Sequence, residues 1–473
     1  MVSLHTLLEG YPDPVRIPAS DIPATDTTLV VLDDDPTGTQ SVADLPVLTR
    51  WEEDDMAWAL QQDVPAIYVM TNSRSLDPAD ARAINLDVAH AAIAAAKKLD
   101  KKVAFVSRSD STLRGHYPLE PDTLAEVAEA NGQTIDGYVI VPAFGDAGRI
   151  TVGGVHYAGN DTDGYQKVED TEFAQDATFG YKHSRIADWV EEKTDGAVKA
   201  ADVIEIPLDV VRGERGGVEK LLLEARDRTP IAVDIVTEED LRLLSLGLIE
   251  AERAGKNFIY RVGPPFVRAR IGQDVPEPVR PERVAELRQN TDNVAGGLIV
   301  IGSHVPTTTR QLARLKETNE APVVEMDVAR VIGEGREDYI AELASEIEHL
   351  LIRGNVIFHT SRELVRGATP DESLAIARKV SDSLVTVVNR VVNRVTPAFV
   401  IAKGGITSSD VASKGLEMTR AMVIGPMQPG IISMWQLLDG PAAGVPYIVF
   451  AGNVGTDDSL AEVVAALSTH PLN

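Results

Sequence analysis

Three consecutive carboxylates, Asp33-Asp34-Asp35, stand in the stretch TLVVLDDDPTGTQ between Thr28 and Gln40. Like charges crowded in this way need cations, hydrogen-bond donors or a catalytic use. Ahead of them Leu29-Val30-Val31-Leu32 is a short, continuously apolar run, the pattern of a buried parallel strand. Pro36 and Gly38 stop that run, so the carboxylates fall in the loop at the strand's C-terminal end. Open α/β sheets bind ligands along that edge. Taken alone, the stretch also reads as an Asp/Thr-capped turn opening a helix.

The complementary charges recur at matching places. Val64–Met70 reads as a second strand and runs into Thr71-Asn72-Ser73-Arg74. Lys102–Val106 reads as a third and empties into Ser107–His116, which carries Arg108, Asp110, Ser111 and Arg114. Parallel strands place these loops along one edge, so carboxylates and guanidiniums converge on one crevice. Loop salt bridges to the same aspartates are the structural alternative. Exposed pairs contribute little stability, which favours recognition of an anion, a carboxylate above all, by forked guanidinium donors.

Strands and helices alternate to position these loops. A helix is expected over Asp77–Leu99, with Pro78 in its first turn and Lys97 and Lys98 in its last. Another is expected over Leu119–Ala130, then a strand over Gly137–Val141. The turn-rich run Gly148–Asp176 reads as a hairpin excursion, with His156 a packed or loop residue. A helix over Gly180–Thr194 and strands at Val203–Leu208, Ile231–Val236 and Asn257–Val262 complete the first half.

Ile271–Gly297, rich in proline and charge, is the expected linker, with a short helix at Pro281–Gln289. A second α/β pattern follows, with strands at Leu298–Ile301, Val323–Val328, Asn355–His359, Ala398–Ala402 and Tyr447–Phe450. Helices are expected at Asp338–Ile352 and Asp371–Arg394. The reading is therefore α/β, in two domains (1–275 and 290–473). Each is a mainly parallel sheet flanked by helices, with ligand loops at strand C-terminal ends.

In the second domain the strand-end loops carry small residues: Gly302-Ser303-His304, Thr360-Ser361-Arg362, Lys403-Gly404-Gly405-Ile406-Thr407-Ser408 and Gly452-Asn453-Val454-Gly455. Such loops let backbone N–H groups approach phosphates. Neither a P-loop nor a dinucleotide-binding glycine fingerprint occurs, so a nucleotide site here is of another type.

Composition narrows the classes. A net charge of −27 argues against nucleic acid and anionic membranes as partners. No apolar run of about 18 residues is present, so no membrane span is expected. The N-terminal stretch lacks the pattern of a secretory signal, and there are no cysteines, which suits a cytoplasmic enzyme and excludes thiolate ligation of a metal. Homo-oligomerisation stays open.

With these loops in view the chain resembles the four-carbon acid sugar kinase family, whose members phosphorylate threonate, erythronate or 3-oxo-tetronate with ATP. The family's Asp-Asp-x-Thr-Gly motif matches Asp34-Asp35-Pro36-Thr37-Gly38, and its Thr-x-Ser-Arg element matches Thr71–Arg74. The Asp-Ser-Thr-Leu-Arg-Gly signature is intact at Asp110–Gly115, with Arg108 where lysine is usual. Gly302-Ser303 and Gly404-Gly405-Ile406-Thr407-Ser408 match in the second half. The last loop departs: Phe450-Ala451-Gly452-Asn453-Val454-Gly455 lacks the usual lysine and serine.

The resemblance implies an N-terminal domain for the acid sugar and a C-terminal domain for ATP with its Mg²⁺. The arginines Arg74, Arg108 and Arg114 would hold the acid's carboxylate and hydroxyls or offset transition-state charge. Asp34 or Asp35 would take the proton of the attacking hydroxyl, and Asp110 with Ser111 would orient the sugar. Ser303, His304, Lys403–Ser408, Gly452, Asn453 and Gly455 would hold the nucleotide. Two rivals remain at this point. One is a haloacid-dehalogenase-like phosphatase with Asp33 as nucleophile; the other is a sugar-acid sensor without catalysis.

Overall fold

The computed structural model describes residues 1–288, 296–362, 365 and 368–468. The expected helix end at Gln289 and the expected domain start at 290 lie outside the described residues. The chain divides into two compact units, Met1–Gly38 with Trp51–Val275, and Thr39–Arg50 with Pro276–Asn473. The division therefore differs from 1–275 and 290–473 in two respects: Thr39–Arg50 belongs with the second unit, and so does the expected linker from Pro276 onward.

The first unit is built on seven parallel strands in the order Ala66–Met70, Thr27–Asp33, Lys102–Arg108, Phe258–Val262, Gly137–Val141, Thr229–Val233, Ile204–Ile206. Val30, Val31, Ile67, Val69, Phe105 and Val106 are buried on the central strands, as an all-parallel sheet covered on both faces requires. The register places Asp33 beside Met70 on one neighbour and Arg108 on the other, with Val262 opposite Arg108. A buried acid and a buried base thus end adjacent strands side by side.

The crossover helix Pro78–Leu99 begins where Asp77 accepts the backbone N–H groups of Ala79 and Asp80 at 2.9 and 3.0 Å. Its sheet-facing side is mostly alanine (Ala81, Ala89, Ala92, Ala95, Ala96), which lets it lie close to the strands.

The turn-rich excursion is a three-stranded antiparallel sheet, Arg149–Val152, Val155–Asn160 and Gly164–Lys167. Its first two-residue turn, Gly153-Gly154, has φ of +61° and +74°, which glycine adopts without a steric penalty. Asp234 pins that turn by accepting both glycine N–H groups at 2.7 and 2.8 Å. The helix expected over Gly180–Thr194 is confined to Ile186–Lys193, because the preceding residues are spent on other contacts: Tyr181 donates to the Thr112 carbonyl and Lys182 N–H to Glu192.

The second unit has five parallel strands in the order Val323–Met326, Val356–Thr360, Leu298–Ile301, Val400–Lys403, Pro446–Phe450. Antiparallel to the last run Ile432–Leu437, then Arg420–Gln428, then the strand Leu45–Leu48 from the N-terminal stretch. The sequence reading missed these three strands. Gly425 and Pro426 interrupt the longest of them, and the register shifts there show that the interruption is accommodated as bulges.

Thr39 fastens the inserted segment. The Trp435 indole N–H donates to the Thr39 hydroxyl at 2.8 Å, and that hydroxyl donates to Ser433 Oγ at 2.9 Å, all three side chains being buried. Thr39→Val keeps the shape but leaves the indole N–H without its acceptor. The loss expected is about 1–3 kcal/mol, read as a lower urea midpoint at unchanged slope. An unmoved midpoint would show that this chain of bonds does not hold the segment.

Candidate functional site

The centre of the first unit's site is a closed fork. Arg74 Nε and Nη2 donate to Asp34 Oδ2 and Oδ1 at 3.1 and 2.6 Å, while Nη1 lies 3.5 Å from Asp35 Oδ2. Backbone bonds bring the two loops together: Thr71 N–H and hydroxyl both donate to the Asp33 carbonyl, and Arg74 N–H donates to the Asp34 carbonyl at 3.2 Å. Asp34 is 1% exposed. Burial pushes its carboxyl up to about 6 against the pull of Arg74, whose own guanidinium is raised well above its ordinary value. Asp35 differs. Its side chain is 27% exposed, and Oδ1 accepts the Thr37 N–H at 2.9 Å and the Thr37 hydroxyl at 2.5 Å, leaving Oδ2 toward Arg74.

Beneath this fork Arg108 is ion-paired with Asp33, both buried, and Arg108 Nη2 also donates to the Asp35 carbonyl at 2.5 Å. Burial pulls the Arg108 guanidinium down to about 9, so it stays charged at neutral pH. Gly38 lies flat on the pair. A Cβ there would come within 2.2 Å of Asp33 Oδ2 and 2.4 Å of Arg108 Nε.

The Asp110–Gly115 signature closes the third side. Asp110 Oδ2 accepts Arg114 Nε at 2.7 Å and the Thr112 hydroxyl. Burial raises the Asp110 carboxyl, but Arg74 and Arg114 outweigh it and hold the group at about 2. At Gly115, with φ of +110°, a Cβ would meet Arg261 Nη2 at 2.7 Å and Asp34 Oδ2 at 3.1 Å, so glycine lets this loop press onto the fork. Ser111 is nearly buried, and its carbonyl accepts from His156 Nε2 at 2.8 Å. His156 is fully buried, a packed residue that backs the loop.

A second buried pair was not singled out from sequence. Arg261 Nη1 donates to Glu120 Oε2 at 2.5 Å and to Ser107 Oγ at 2.8 Å, and Ser73 Oγ donates to Glu120 Oε1. The available signal was an arginine inside the buried strand Phe258–Val262 and a glutamate just after the Asp110–Gly115 signature. The salt bridges weighed from sequence against anion recognition are present. Arg74, Arg108 and Arg114 each face a protein carboxylate, and the Arg108–Asp33 pair is buried on both sides, where removing one partner is costly.

In the second unit the strand-end loops pack on one another. A Cβ on Gly302 would strike Thr407 Oγ1, and one on Gly452 would come within 2.6 Å of Ser303 Oγ. Gly404, with φ of +126°, abuts Thr407 and Ser303. Thr308 Oγ1 donates to the Gly452 carbonyl at 2.8 Å, and Gln311 holds the Val454 and Thr456 carbonyls at 3.0 and 2.7 Å. Ile406, Asn453 and Gly455 are exposed; Ser303, His304, Gly405 and Gly452 are half-buried. Arg362, in a loop noticed from sequence but not assigned a role, donates to the Ser303 carbonyl at 2.6 Å and is half-buried beside His304.

Lys403 and Ser408 are placed differently from the expectation that they touch a ligand. Both are completely buried. Lys403 Nζ donates to the Ala451 carbonyl at 2.6 Å and sits 3.7 Å from the centre of the Phe450 ring. Burial pulls its ammonium down to about 7. Ser408 Oγ donates to the Ala402 carbonyl. They shape the loops from beneath.

A cavity of about 720 Å³ in the first unit lies at the opposite ends of the strands, among Asp26, Lys97, Lys101, Lys102, Lys256 and Arg270. Its cations are already engaged, Lys101 by Asp63, Lys102 by Asp26, Lys256 by Asp136 and Arg270 by Glu252. None of the motif residues lines it.

Residues 29–270 match the family described as a sugar-binding N-terminal domain, and residues 298–460 match a nucleotide-binding C-terminal domain. The chain belongs to the four-carbon acid sugar kinase family. Members of this family are phosphotransferases that act on a sugar-acid hydroxyl. Relatives include a D-erythronate kinase of Heliobacterium modesticaldum, 25% identical over 432 residues, with 85% of this chain and 87% of the relative covered. A D-threonate kinase of Salmonella typhimurium is 25% identical over 411 residues, with coverage of 84% and 88%. A Haemophilus influenzae protein has the same fold, with a TM-score of 0.61 at 19% identity over 93% of this chain and 100% of that one.

The phosphatase alternative fails on geometry as well as on family. Asp33 is 2% exposed, pinned by Arg108 and covered by Gly38, so it is not presented as a nucleophile. Gly38→Ala should drive the Asp33–Arg108 pair apart. We expect a first-unit destabilisation on the order of 3 kcal/mol in chemical denaturation, with loss of catalysis in whatever remains folded. A fully stable and active Gly38→Ala variant would show that the contact is not needed.

Proposed function

We propose that this chain transfers the γ-phosphoryl group of ATP to a hydroxyl of a small sugar acid, with erythronate, threonate and their four-carbon relatives as first candidates. The observation that carries this reading is the convergence of Asp34, Asp35, Arg74, Asp110 and Arg114 in the unit matching the sugar-binding domain. The names of the relatives supply the substrate class.

Phosphoryl transfer needs positioning and charge compensation more than covalent chemistry. Asp35 is the accessible carboxylate beside the fork and takes the proton of the attacking hydroxyl. Asp34, with both oxygens filled by Arg74, holds that guanidinium in place. Asp110, kept ionised, accepts a sugar hydroxyl, with Arg114 and the Ser111 segment beside it. The loops at Gly302–His304, Gly404–Thr407 and Gly452–Gly455 form the nucleotide site, with Lys403 and Ser408 as supports. The divalent ion arrives as part of MgATP, a mode that requires few protein carboxylates. Among the described residues none of the carboxylates or histidines is grouped as a three-ligand metal site. An ATP-dependent reaction of this kind is placed in the cytoplasm.

A coupled assay of ADP release across four-carbon sugar acids, with longer acids as controls, tests the reading. Absence of acid-stimulated ADP release from a folded, ATP-binding protein would refute it. Asp35→Asn should lower kcat by roughly 10²–10⁴-fold while acid binding, followed by calorimetry, changes little. An Asp35→Asn enzyme with parental kcat would remove the assigned base.

The pH profile has a predictable sign. Asp34 is protonated as pH falls through about 6, and its fork to Arg74 then loses the acceptor charge. kcat/KM should therefore decline below about pH 6, and the residual activity of Asp34→Asn should lack that limb. A limb unchanged in Asp34→Asn assigns the ionisation elsewhere.

A further inference from the structure

The geometry points to Arg149 as the residue that takes the substrate's carboxylate, an inference that rests on the sugar-acid kinase reading. The other arginines of the site are committed. Both ends of the Arg74 fork are on Asp34, Arg108 is held by Asp33 and the Asp35 carbonyl, and Arg261 is on Glu120. Arg114 spends Nε on Asp110 and has Asp176 3.5 Å from Nη1.

Arg149 differs from all of these. Among the described residues it has no carboxylate partner. Its protein hydrogen bond runs from Nη1 to the Ala147 carbonyl, and its buried Nε has no acceptor at all. A guanidinium keeps its charge in proteins, so an unmatched, half-buried one favours an incoming anion.

Its place follows from the excursion sheet. Arg149 and Thr151 are two apart on one strand and so share a face. Thr151 is paired with His156, whose Nδ1 lies 2.9 Å from Thr151 Oγ1 and whose Nε2 donates to the Ser111 carbonyl. That face therefore looks onto the Asp110–Gly115 loop. The guanidiniums of Arg149 and Arg114 both lie over the Phe173 ring, 5.7 and 5.2 Å from its centre. Arg149 is close enough to Asp110 and Arg114 to feel both charges. A four-carbon acid whose hydroxyls reach Asp110 and Asp35 can then set its carboxylate against Arg149, with Phe173 as a flat wall.

The test pairs a protein change with a ligand change. Parent, Arg149→Gln and Arg149→Lys are assayed with D-erythronate and D-threonate and with the corresponding neutral carboxamides, varying acid and ATP separately. Arg149→Gln should raise the KM for the acid by roughly 10- to 100-fold, with the KM for ATP unmoved and kcat within about threefold. Arg149→Lys should recover part of the loss. The parent should prefer acid to carboxamide by a similar factor, and Arg149→Gln should hardly distinguish them. Thermal melts guard against misfolding, and because each protein is its own control, the acid-to-amide ratio stays readable in a weakened variant. An Arg149→Gln enzyme that keeps the parental acid-to-amide ratio overturns the role of Arg149 and leaves the kinase reading intact. A parent that neither binds nor phosphorylates any sugar acid overturns both.

Discussion

A carboxylate removed from water needs a cation or donors within reach, and the first unit is organised by that requirement. Asp33, Asp34 and Glu120 are each almost wholly buried, and each meets a guanidinium from a different segment: Arg108, Arg74 and Arg261. The pairs tie together four of the seven strands or the loops that leave them. Breaking any one strands a charge at low dielectric, so the geometry of the strand-end loops is enforced by electrostatics as much as by packing. Gly38 and Gly115 belong to the same constraint, because both leave room where a side chain would push into the paired charges.

Such a centre has a division of labour. The most buried groups, Asp33, Asp34 and Arg108, are saturated by the protein and serve as framework. Asp35, Asp110 and Arg114 are more open and retain capacity for a ligand. In the second unit the framework is made of small residues and backbone contacts: Gly302, Gly404 and Gly452 pack against Thr407 and Ser303, and Lys403 braces the Ala451 carbonyl from below. One unit thus offers fixed charges and the other a surface of backbone and small side chains. Those are different chemical affinities carried on the same kind of parallel sheet.

Much of this was legible in the sequence because parallel strands announce themselves as apolar runs and because polar residues cluster where the runs stop. The helix Leu119–Ala130 and the strand Gly137–Val141 fall where the pattern placed them. The convergence of Asp34, Arg74, Arg108 and Asp110 also follows from that logic. What escaped was information carried by tertiary contact. Whether an arginine is free or already paired depends on partners tens of residues away, as with Arg74 on Asp34 or Arg261 on Glu120. Lys403 looked like a phosphate ligand in its loop, yet its side chain turns inward to a carbonyl. The hairpin Arg420–Leu437 was hidden because Gly425 and Pro426 break the alternation that signals a strand, and the bulges that absorb them are visible only in the pairing.

The strand Leu45–Leu48 has a consequence for how this chain can be made or divided. The polypeptide leaves the first unit after Gly38, contributes a strand to the second, returns at Trp51 and departs again after Val275. A ribosome therefore releases this strand long before its antiparallel partner Arg420–Gln428 exists, and that pairing must wait through the synthesis of more than half the protein. A fragment cut at the linker would separate the second unit from one of its own strands. The boundary that looks simplest in the sequence is consequently the wrong place to separate the two units, and only a cut that carries Thr39–Arg50 along, by permutation or by supplying it in trans, leaves the second unit whole.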